Sequence, residues 1–322
     1  MTGRTAVKRL RFVMAMTMAA LVGPAHAQLK VNPNQAAIVR WYAVNQTTAF
    51  PVGNVPTFVT FDGANVWVGN QADGTITKLR ASDGALLGTF NVGTNPAGLV
   101  FDGTSIWVVN RLDNTVTKLR ASDGFTLGNF NVGSEPGGIA FDGANIWVAN
   151  QSDQTVTKLR ASDGVTLGNF NVGTGPYGIA FDGTNIWVLN IGNGDGNTVT
   201  KLRASDGALL GTFKVGTKPT GVAFDGASIW VTNQSDQTVT KLRASDGTLL
   251  GTFAVGVWPV GIAFDGANIW VTNHYNGTVT KLRASDGFNL GTFKVGPAPA
   301  GVAFDGANIW VANEGNNTVS KL

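Results

Sequence analysis

The chain has 322 residues, of which 13% are charged and 43 are glycine. Its regular apolar segments exclude a disordered chain, and its glycine content fits an all-β fold because glycine readily adopts the positive φ angles of tight turns. The lack of cysteine in the sequence excludes disulfides, cysteine nucleophiles and cysteine-based metal sites.

Residues 1–27 have the pattern of a secretory signal peptide. A basic start precedes an apolar run at 12–22 that is short for a membrane span, and small residues flank a cleavage point after residue 27. We therefore expect a periplasmic or secreted protein that is not inserted in a membrane after cleavage. Residues 28–37 are expected to form a linker.

The apparent basicity of the chain belongs to this leader. The full chain has 23 basic and 20 acidic residues, and removal of four basic residues leaves 19 against 20, a net charge of −1. No global electrostatic argument for nucleic-acid or anionic-membrane binding remains. The four residues are Arg4, Lys8, Arg9 and Arg11.

The rest of the chain is a tandem repeat. Phe-Asp-Gly recurs seven times at a spacing of 40 residues, except for one spacing of 43 whose extra residues lie within 191–197. The copies begin at Phe61, Phe101, Phe141, Phe181, Phe224, Phe264 and Phe304. That insert contains Asp195 but lacks the alternating acidic ligands of a calcium loop, so we interpret it as a flexible loop.

Each repeat contains four segments of strand length, which we label a to d. In the fourth repeat they are 178–181, 186–188, 198–202 and 209–215. Asp-Gly stands between a and b and again between c and d, which is a strong hairpin signal. Each repeat is therefore predicted to be a four-stranded antiparallel meander.

A single sheet of this kind cannot bury both faces, whereas seven stacked sheets closed into a ring can. The sequence therefore predicts an all-β fold, a seven-bladed β-propeller over residues 38–322. The last repeat has no strand d, and segment 38–53, which ends like a strand d, is predicted to supply it. One Trp per repeat is interpreted as packing between blades: Trp67, Trp107, Trp147, Trp187, Trp230, Trp270 and Trp310.

The strings NIWVANQSDQTVTKL and VGTGPYGIAFDG resemble the bacterial propeller repeats called YVTN or NHL-type. They also resemble the repeats of streptogramin (virginiamycin B) lyase-like proteins. The resemblance extends from about residue 40 to 322 and implies the propeller fold. Such propellers host binding proteins, lyases, lactonases and oxidoreductases, so the resemblance does not select a function.

The lyase resemblance implies His and Glu near the channel mouth together with a divalent metal. Lyase repeats commonly read Trp-Phe-Thr-Glu, whereas Asn stands at the Glu position in every repeat here. After the leader, the chain contains one His, His274, and two Glu, Glu135 and Glu314. The cofactor is unknown, and a divalent metal is expected only if the protein is lyase-like. The Asn residues are Asn70, Asn110, Asn150, Asn190, Asn233, Asn273 and Asn313.

The two faces of the predicted ring differ in sequence. Loops a–b and c–d are nearly uniform among the copies, whereas loops b–c and d–a on the opposite face vary. Departures from seven-fold symmetry make a specific site possible, and drift in unconstrained loops is the alternative interpretation. The candidate binding residues are Arg111, Glu135, Tyr177, Lys218, Trp258 and Tyr275.

His274 and Glu314 occupy equivalent positions of adjacent blades, so we expect them to lie side by side. Such a pair can perform acid–base chemistry or hold a metal, or it can be a solvated surface pair. They are the only candidate catalytic residues.

A Lys at one height of strand c recurs in all repeats and could form a basic ring that follows phosphates. However, each strand-c Arg that continues into a c–d turn is followed three residues later by Asp, and no aromatic residues alternate with the basic ones. Nucleic-acid binding is therefore not expected. The lysines are Lys78, Lys118, Lys158, Lys201, Lys241, Lys281 and Lys321.

Two functions remain open. The first is a non-enzymatic monomeric propeller that binds a protein, peptide or glycan through its b–c and d–a loops. The second is a metal-assisted lyase-like or lactonase-like enzyme centred on His274 and Glu314.

Overall fold

Seven four-stranded antiparallel sheets make up residues 49–322, the part of the chain that a computed structural model describes. The predicted seven-bladed β-propeller is confirmed. The predicted signal peptide, the linker and residues 38–48 of the closing segment lie outside the described residues. Within 49–322, no helix has the length and apolar character needed to cross a membrane.

The strands follow one another as a, b, c and d in each blade. Blade one contains β2 (Pro56–Phe61), β3 (Asn65–Asn70), β4 (Thr75–Arg80) and β5 (Leu86–Asn91). Blade two contains β6 (Pro96–Phe101), β7 (Ser105–Asn110), β8 (Thr115–Arg120) and β9 (Thr126–Asn131). Blade three contains β10 (Pro136–Phe141), β11 (Asn145–Asn150), β12 (Thr155–Arg160) and β13 (Thr166–Asn171). Blade four contains β14 (Pro176–Phe181), β15 (Asn185–Asn190), β16 (Thr198–Arg203) and β17 (Leu209–Lys214).

Blade five contains β18 (Pro219–Phe224), β19 (Ser228–Asn233), β20 (Thr238–Arg243) and β21 (Leu249–Ala254). Blade six contains β22 (Pro259–Phe264), β23 (Asn268–Asn273), β24 (Thr278–Arg283) and β25 (Asn289–Lys294). Blade seven contains β26 (Pro299–Phe304), β27 (Ile309–Asn313), β28 (Thr318–Lys321) and, as strand d, β1 (Ala49–Pro51). Two short 3-10 turns, His274–Asn276 and Glu314–Asn316, were not expected from the sequence.

The repeated Trp packs between blades, as predicted. In blade three, Trp147 is fully buried against Ile186 and Val188 of blade four. Its indole N–H donates to Asp142 Oδ2 at 2.7 Å, so the buried nitrogen is satisfied. Burial raises the pKa of Asp142, but hydrogen bonds from Trp147, from Asn145 and from two backbone N–H groups outweigh it, and the pKa lies below its usual value.

The repeated Lys also lies in the interface. Lys158 Nζ sits 4.8 Å from the centre of the Trp147 ring and donates to Ala204 O at 2.7 Å and to Ser205 O at 3.2 Å, both in the next blade. A buried ammonium needs such acceptors, and the aromatic face stabilises it further. A lysine held in this way is engaged between blades and is not free to follow a phosphate backbone. The same contacts recur at Lys78, Lys118, Lys201 and Lys241.

The uniform c–d turn is explained by a contact with the preceding blade. Phe130 lies in β9, strand d of blade two. Its ring packs on Trp107 at 5.3 Å between ring centres and also covers Gly164 in the c–d turn of blade three. Gly164 has a φ of 77°, and a Cβ there would overlap the Phe130 ring. Glycine is therefore required in this turn for its conformation and for the close approach.

Blade seven is closed by the two ends of the described chain. β1 pairs with β28 through Ala49, Phe50 and Pro51. Phe50 lies 5.5 Å from Trp310 and covers Gly84 of blade one, which is the position that Phe130 has in blade two. The predicted contribution of the N-terminal segment to the last blade is confirmed for residues 49–51.

Phe50→Ala should lower the free energy of unfolding by about 3–5 kcal/mol, because it empties an aromatic site in the closing interface. Deletion of residues 38–53 should destabilise the protein at least as much. Denaturant unfolding of both variants measures the effect.

Phe130→Ala is the matched control, since Phe130 fills the equivalent site in a blade formed from continuous chain. Comparable losses for the two substitutions are expected. An unchanged unfolding midpoint for Phe50→Ala beside a lowered one for Phe130→Ala would mean that β1 does not close the ring.

Candidate functional site

The central channel widens into a cavity of about 490 Å³ on the face formed by the b–c and d–a loops. All seven blades contribute to its walls, mainly through strand a. Four of the residues that the sequence predicts line it: Tyr177, Trp258, His274 and Glu314. We call this cavity the channel mouth.

One b–c loop position recurs in every blade, and in four blades it supplies a polar residue that lines the cavity: Gln71, Gln234, His274 and Glu314. The residue after the last Asn of strand b donates its backbone N–H to the carbonyl of the residue before the d–a proline; in blade six, His274 donates to Trp258 at 3.0 Å. This bond fixes the two variable positions of each blade as a pair. We call the ring of b–c residues the collar; it consists of Gln71, Arg111, Gln151, Ile191, Gln234, His274 and Glu314.

His274 and Glu314 are adjacent in the collar, as expected from their equivalent positions. The distance between His274 Nε2 and Glu314 Oε2 is 3.2 Å, and about a quarter of each side chain is exposed. His274 Nδ1 is buried and has no hydrogen-bond partner among residues 49–322. The pair is therefore a partly buried acid–base couple at the edge of the cavity.

The Asn that ends strand b in every blade stands where lyase repeats commonly have Glu, and it has a structural role. In blade three the buried Asn150 accepts from Gly133 N at 3.1 Å and donates to Thr155 Oγ1 at 3.0 Å and to Thr157 Oγ1 at 2.8 Å. It thus ties the d–a loop to strand c of the same blade. These amides hold the loops under the collar, and each amide nitrogen donates to strand c. In Asn190 and Asn313, however, the buried Oδ1 has no hydrogen-bond partner among residues 49–322.

An aromatic cluster lies next to His274 on blades five and six. The ring centres of Trp258 and Tyr275 are 4.8 Å apart at an angle of 60°. Lys218 Nζ lies 4.7 Å from the centre of the Trp258 ring, a cation–π contact. Three of the six predicted binding residues are thus brought into one cluster.

Arg111 and Glu135 form a separate group on blades two and three. Arg111 Nη2 lies 3.5 Å from Glu135 Oε2 and also donates to Gln151 Oε1. Glu135 accepts from Ser152 Oγ at 3.0 Å. This group is on the same face but does not line the channel mouth.

Tyr177 reaches into the mouth from blade four. Its ring lies against Gly137 of blade three, where a Cβ would be 3.1 Å from Tyr177 Cδ2. Burial raises the pKa of the Tyr177 phenol; the positive charge of Arg111 lowers it and the negative charge of Glu314 raises it. The hydroxyl therefore stays protonated near neutral pH and can donate a hydrogen bond.

The backbone conformation of the loops on this face is a feature that the sequence did not predict. Ten non-glycine residues have φ between 48° and 61°, and all of them lie in b–c or d–a loops. In the a–b and c–d turns of the opposite face, each left-handed position is glycine. The Asn and Gly residues at these positions are the only signal in the sequence, because Asn and Gly are common in this conformation. They are Asn95, Asn114, Asn317, Gly74, Gly175 and Gly277. The ten are Val55, Asn95, Asn114, Glu135, Gln154, Lys218, Gln237, Trp258, Ala298 and Asn317.

The donor set does not fit a divalent metal held by the protein. Between residues 49 and 322, no group of three His, Cys, Asp or Glu side chains could hold an ion. His274 and Glu314 provide two ligands. The neighbouring Asn273 accepts from Gly256 N and donates to strand c. The Asn313 nitrogen also donates to strand c, and its Oδ1, although without a partner among residues 49–322, does not line the channel mouth. We therefore derive no chemical step through a metal.

No family model matches the chain, and no curated protein matches it. Among solved structures, it is similar to hydrazine synthase of Kuenenia stuttgartiensis, with a TM-score of 0.75, 18% identity and coverage of 86% of this chain and 98% of that one. The chain is also similar to a streptogramin B lyase, with a TM-score of 0.73, 19% identity and coverage of 85% of this chain and 95% of that one. For virginiamycin B lyase from Staphylococcus aureus, the TM-score is 0.72, the identity 19% and the coverage 85% of this chain and 97% of that one. The likeness to streptogramin lyase-like propellers is thus confirmed for the fold.

Proposed function

We propose that this protein is a periplasmic or secreted, non-enzymatic propeller that binds a protein, peptide or glycan at its channel mouth and collar. The observation that carries the proposal is the set of side chains in left-handed backbone positions on this face alone. A leader-like segment at residues 1–27 supports the location.

A non-glycine residue in the left-handed conformation costs about 1–2 kcal/mol. The d–a loops of six blades carry such a residue, among them the β-branched Val55 and the large Trp258. If the sequence of these loops were unconstrained, glycine could occupy the left-handed positions without strain, as it does in the turns of the opposite face. Side chains in strained positions are frequent at binding sites, where the strain is retained for function.

The chemistry of the face also favours binding. Trp, Tyr and Arg are enriched among residues that dominate binding energy, and Trp258, Tyr275 and Arg111 are all on this face. Titratable groups suited to catalysis near neutral pH are few, since His274 is the only histidine after the leader. Recognition therefore accounts for more of these residues than catalysis does.

Trp258→Gly and Lys218→Gly should weaken ligand binding at least tenfold, because each removes a side chain of the aromatic cluster. Thermal stability should fall little, since glycine relieves the left-handed backbone. Glycan arrays and peptide display with the wild-type protein identify the ligand, and titration of the variants gives the affinities.

Asp163→Asn on the opposite face is the control and should bind like the wild type, because Asp163 pairs only with Arg160 and its own turn. A ligand whose affinity is equal in all four proteins, or the absence of any ligand, would contradict the proposal.

A lyase-like or lactonase-like activity is the second candidate, and the 3.2 Å contact between His274 and Glu314 favours it. Glu314 lines the cavity and is partly exposed, so its carboxylate could accept a substrate proton, with His274 orienting it through Nε2. The fold likeness to lyases raises this possibility by analogy only.

If this activity exists, the wild type will open lactones or cyclic esters in a panel assay, and His274→Ala will reduce the rate at least a hundredfold. Tyr275→Phe serves as the control for the neighbouring ring. An inactive wild-type panel, with and without added divalent metal and with unchanged metal content, would count against the enzyme.

A further inference from the structure

The channel mouth has an apolar interior beneath its polar rim. Strand a leads inward from the variable face, and the apolar residues that follow its proline line the cavity. Most of these side chains are partly exposed, whereas Ile139 and Ile179 are buried. Such a lining, sheltered from the outer surface, favours an apolar group of a ligand. Members of the lining include Phe58, Leu99, Ile139, Ile179, Val222 and Ile262.

The rim on blades five to seven is rich in hydrogen-bond acceptors. Gln234 is 6% exposed, lines the cavity, and its Oε1 has no partner among the described residues. His274 Nδ1 on the next blade is equally unpartnered, and in the tautomer that donates from Nε2 to Glu314 it is an acceptor. Glu314 adds a carboxylate.

A buried acceptor without a partner is unfavourable, so a ligand that donates hydrogen bonds would be favoured here. The negative charge of Glu314 favours a cationic donor. The nearby cations are engaged elsewhere: Lys218 lies over Trp258, and Arg111 pairs with Glu135 outside the cavity.

We propose that the channel mouth binds a hydrophobic primary amine. The ammonium group lies against Gln234, His274 and Glu314, and the apolar group enters the channel. The proposal rests on the proposed binding function and specifies its ligand chemistry. The N-terminal residue of a peptide with a large apolar side chain and a free arylalkylamine share this chemistry.

Titration calorimetry of the full chain with phenethylamine, phenethyl alcohol, phenylpropionate and ethylamine tests the proposal. Phenethylamine should bind at least tenfold more tightly than the other three, because only it combines an ammonium with an apolar group. Glu314→Gln should weaken phenethylamine binding at least tenfold and leave phenethyl alcohol binding unchanged. Asp163→Asn, which removes a carboxylate from the opposite face, should have no effect.

Phe-Gly-Gly and N-acetyl-Phe-Gly-Gly distinguish the sources. Binding of the free peptide but not the acetylated one supports a peptide N-terminus, and binding of phenethylamine alone supports a small amine. Equal binding of amine and alcohol, or tighter binding of phenylpropionate, would overturn the proposal. Failure of all amines while an array ligand still binds in a Trp258-dependent manner would overturn it and leave the proposed function intact.

Discussion

A lysine ammonium held between an indole face and two carbonyl oxygens of the next blade is the contact on which this ring depends. Lys158 illustrates it, with Trp147 on one side and the carbonyls of Ala204 and Ser205 on the other. Each such contact needs the c–d turn of the following blade. Lys281 of blade six faces blade seven, whose strands c and d are not joined by a c–d turn, and within residues 49–322 it keeps only the contact with the Trp270 ring. Lys321 of blade seven donates to Ala81 O of blade one at 2.7 Å and so links the last blade to the first.

These interfaces constrain one face of the ring more than the other. On the c–d side, the acceptors of the lysine and the glycine under the strand-d Phe belong to the same turn, so Ala204 and Gly207 leave little freedom there. On the b–c side, the loops are held by backbone bonds and by the buried Asn beneath them. Collar side chains can therefore change without loss of an interface, which explains why sequence variation and the candidate site lie on this face.

Much of the fold could be predicted because the repeated sequence features give the number of blades and show how the ring closes. The seven Trp residues, the Phe-Asp-Gly spacing and the strand-d likeness of segment 38–53 specify the blade number and the closure. The contact between His274 and Glu314 followed from their equivalent positions in neighbouring blades.

Other features depend on distances that no local pattern contains. A lysine in a polar strand suggests exposure, yet the acceptors of Lys158 lie more than 40 residues away in the next blade. The residue before a proline normally avoids helical conformations, so the left-handed Trp258 had no signal of its own. Tyr177 extends toward the mouth because Gly137 lies beside its ring, a pairing visible only in three dimensions.

The central claim is that β1 completes blade seven as its strand d, so that the pairing of β28 with β1 is equivalent to the pairing of strands c and d in the other blades. Hydrogen exchange at single-residue resolution tests it most directly, by comparing the amides of β28 that face β1 with those of β12 that face β13. The account predicts similar protection at the two places. Rapid exchange along β28, at the rate of an open strand edge, with β12 still protected, would contradict it.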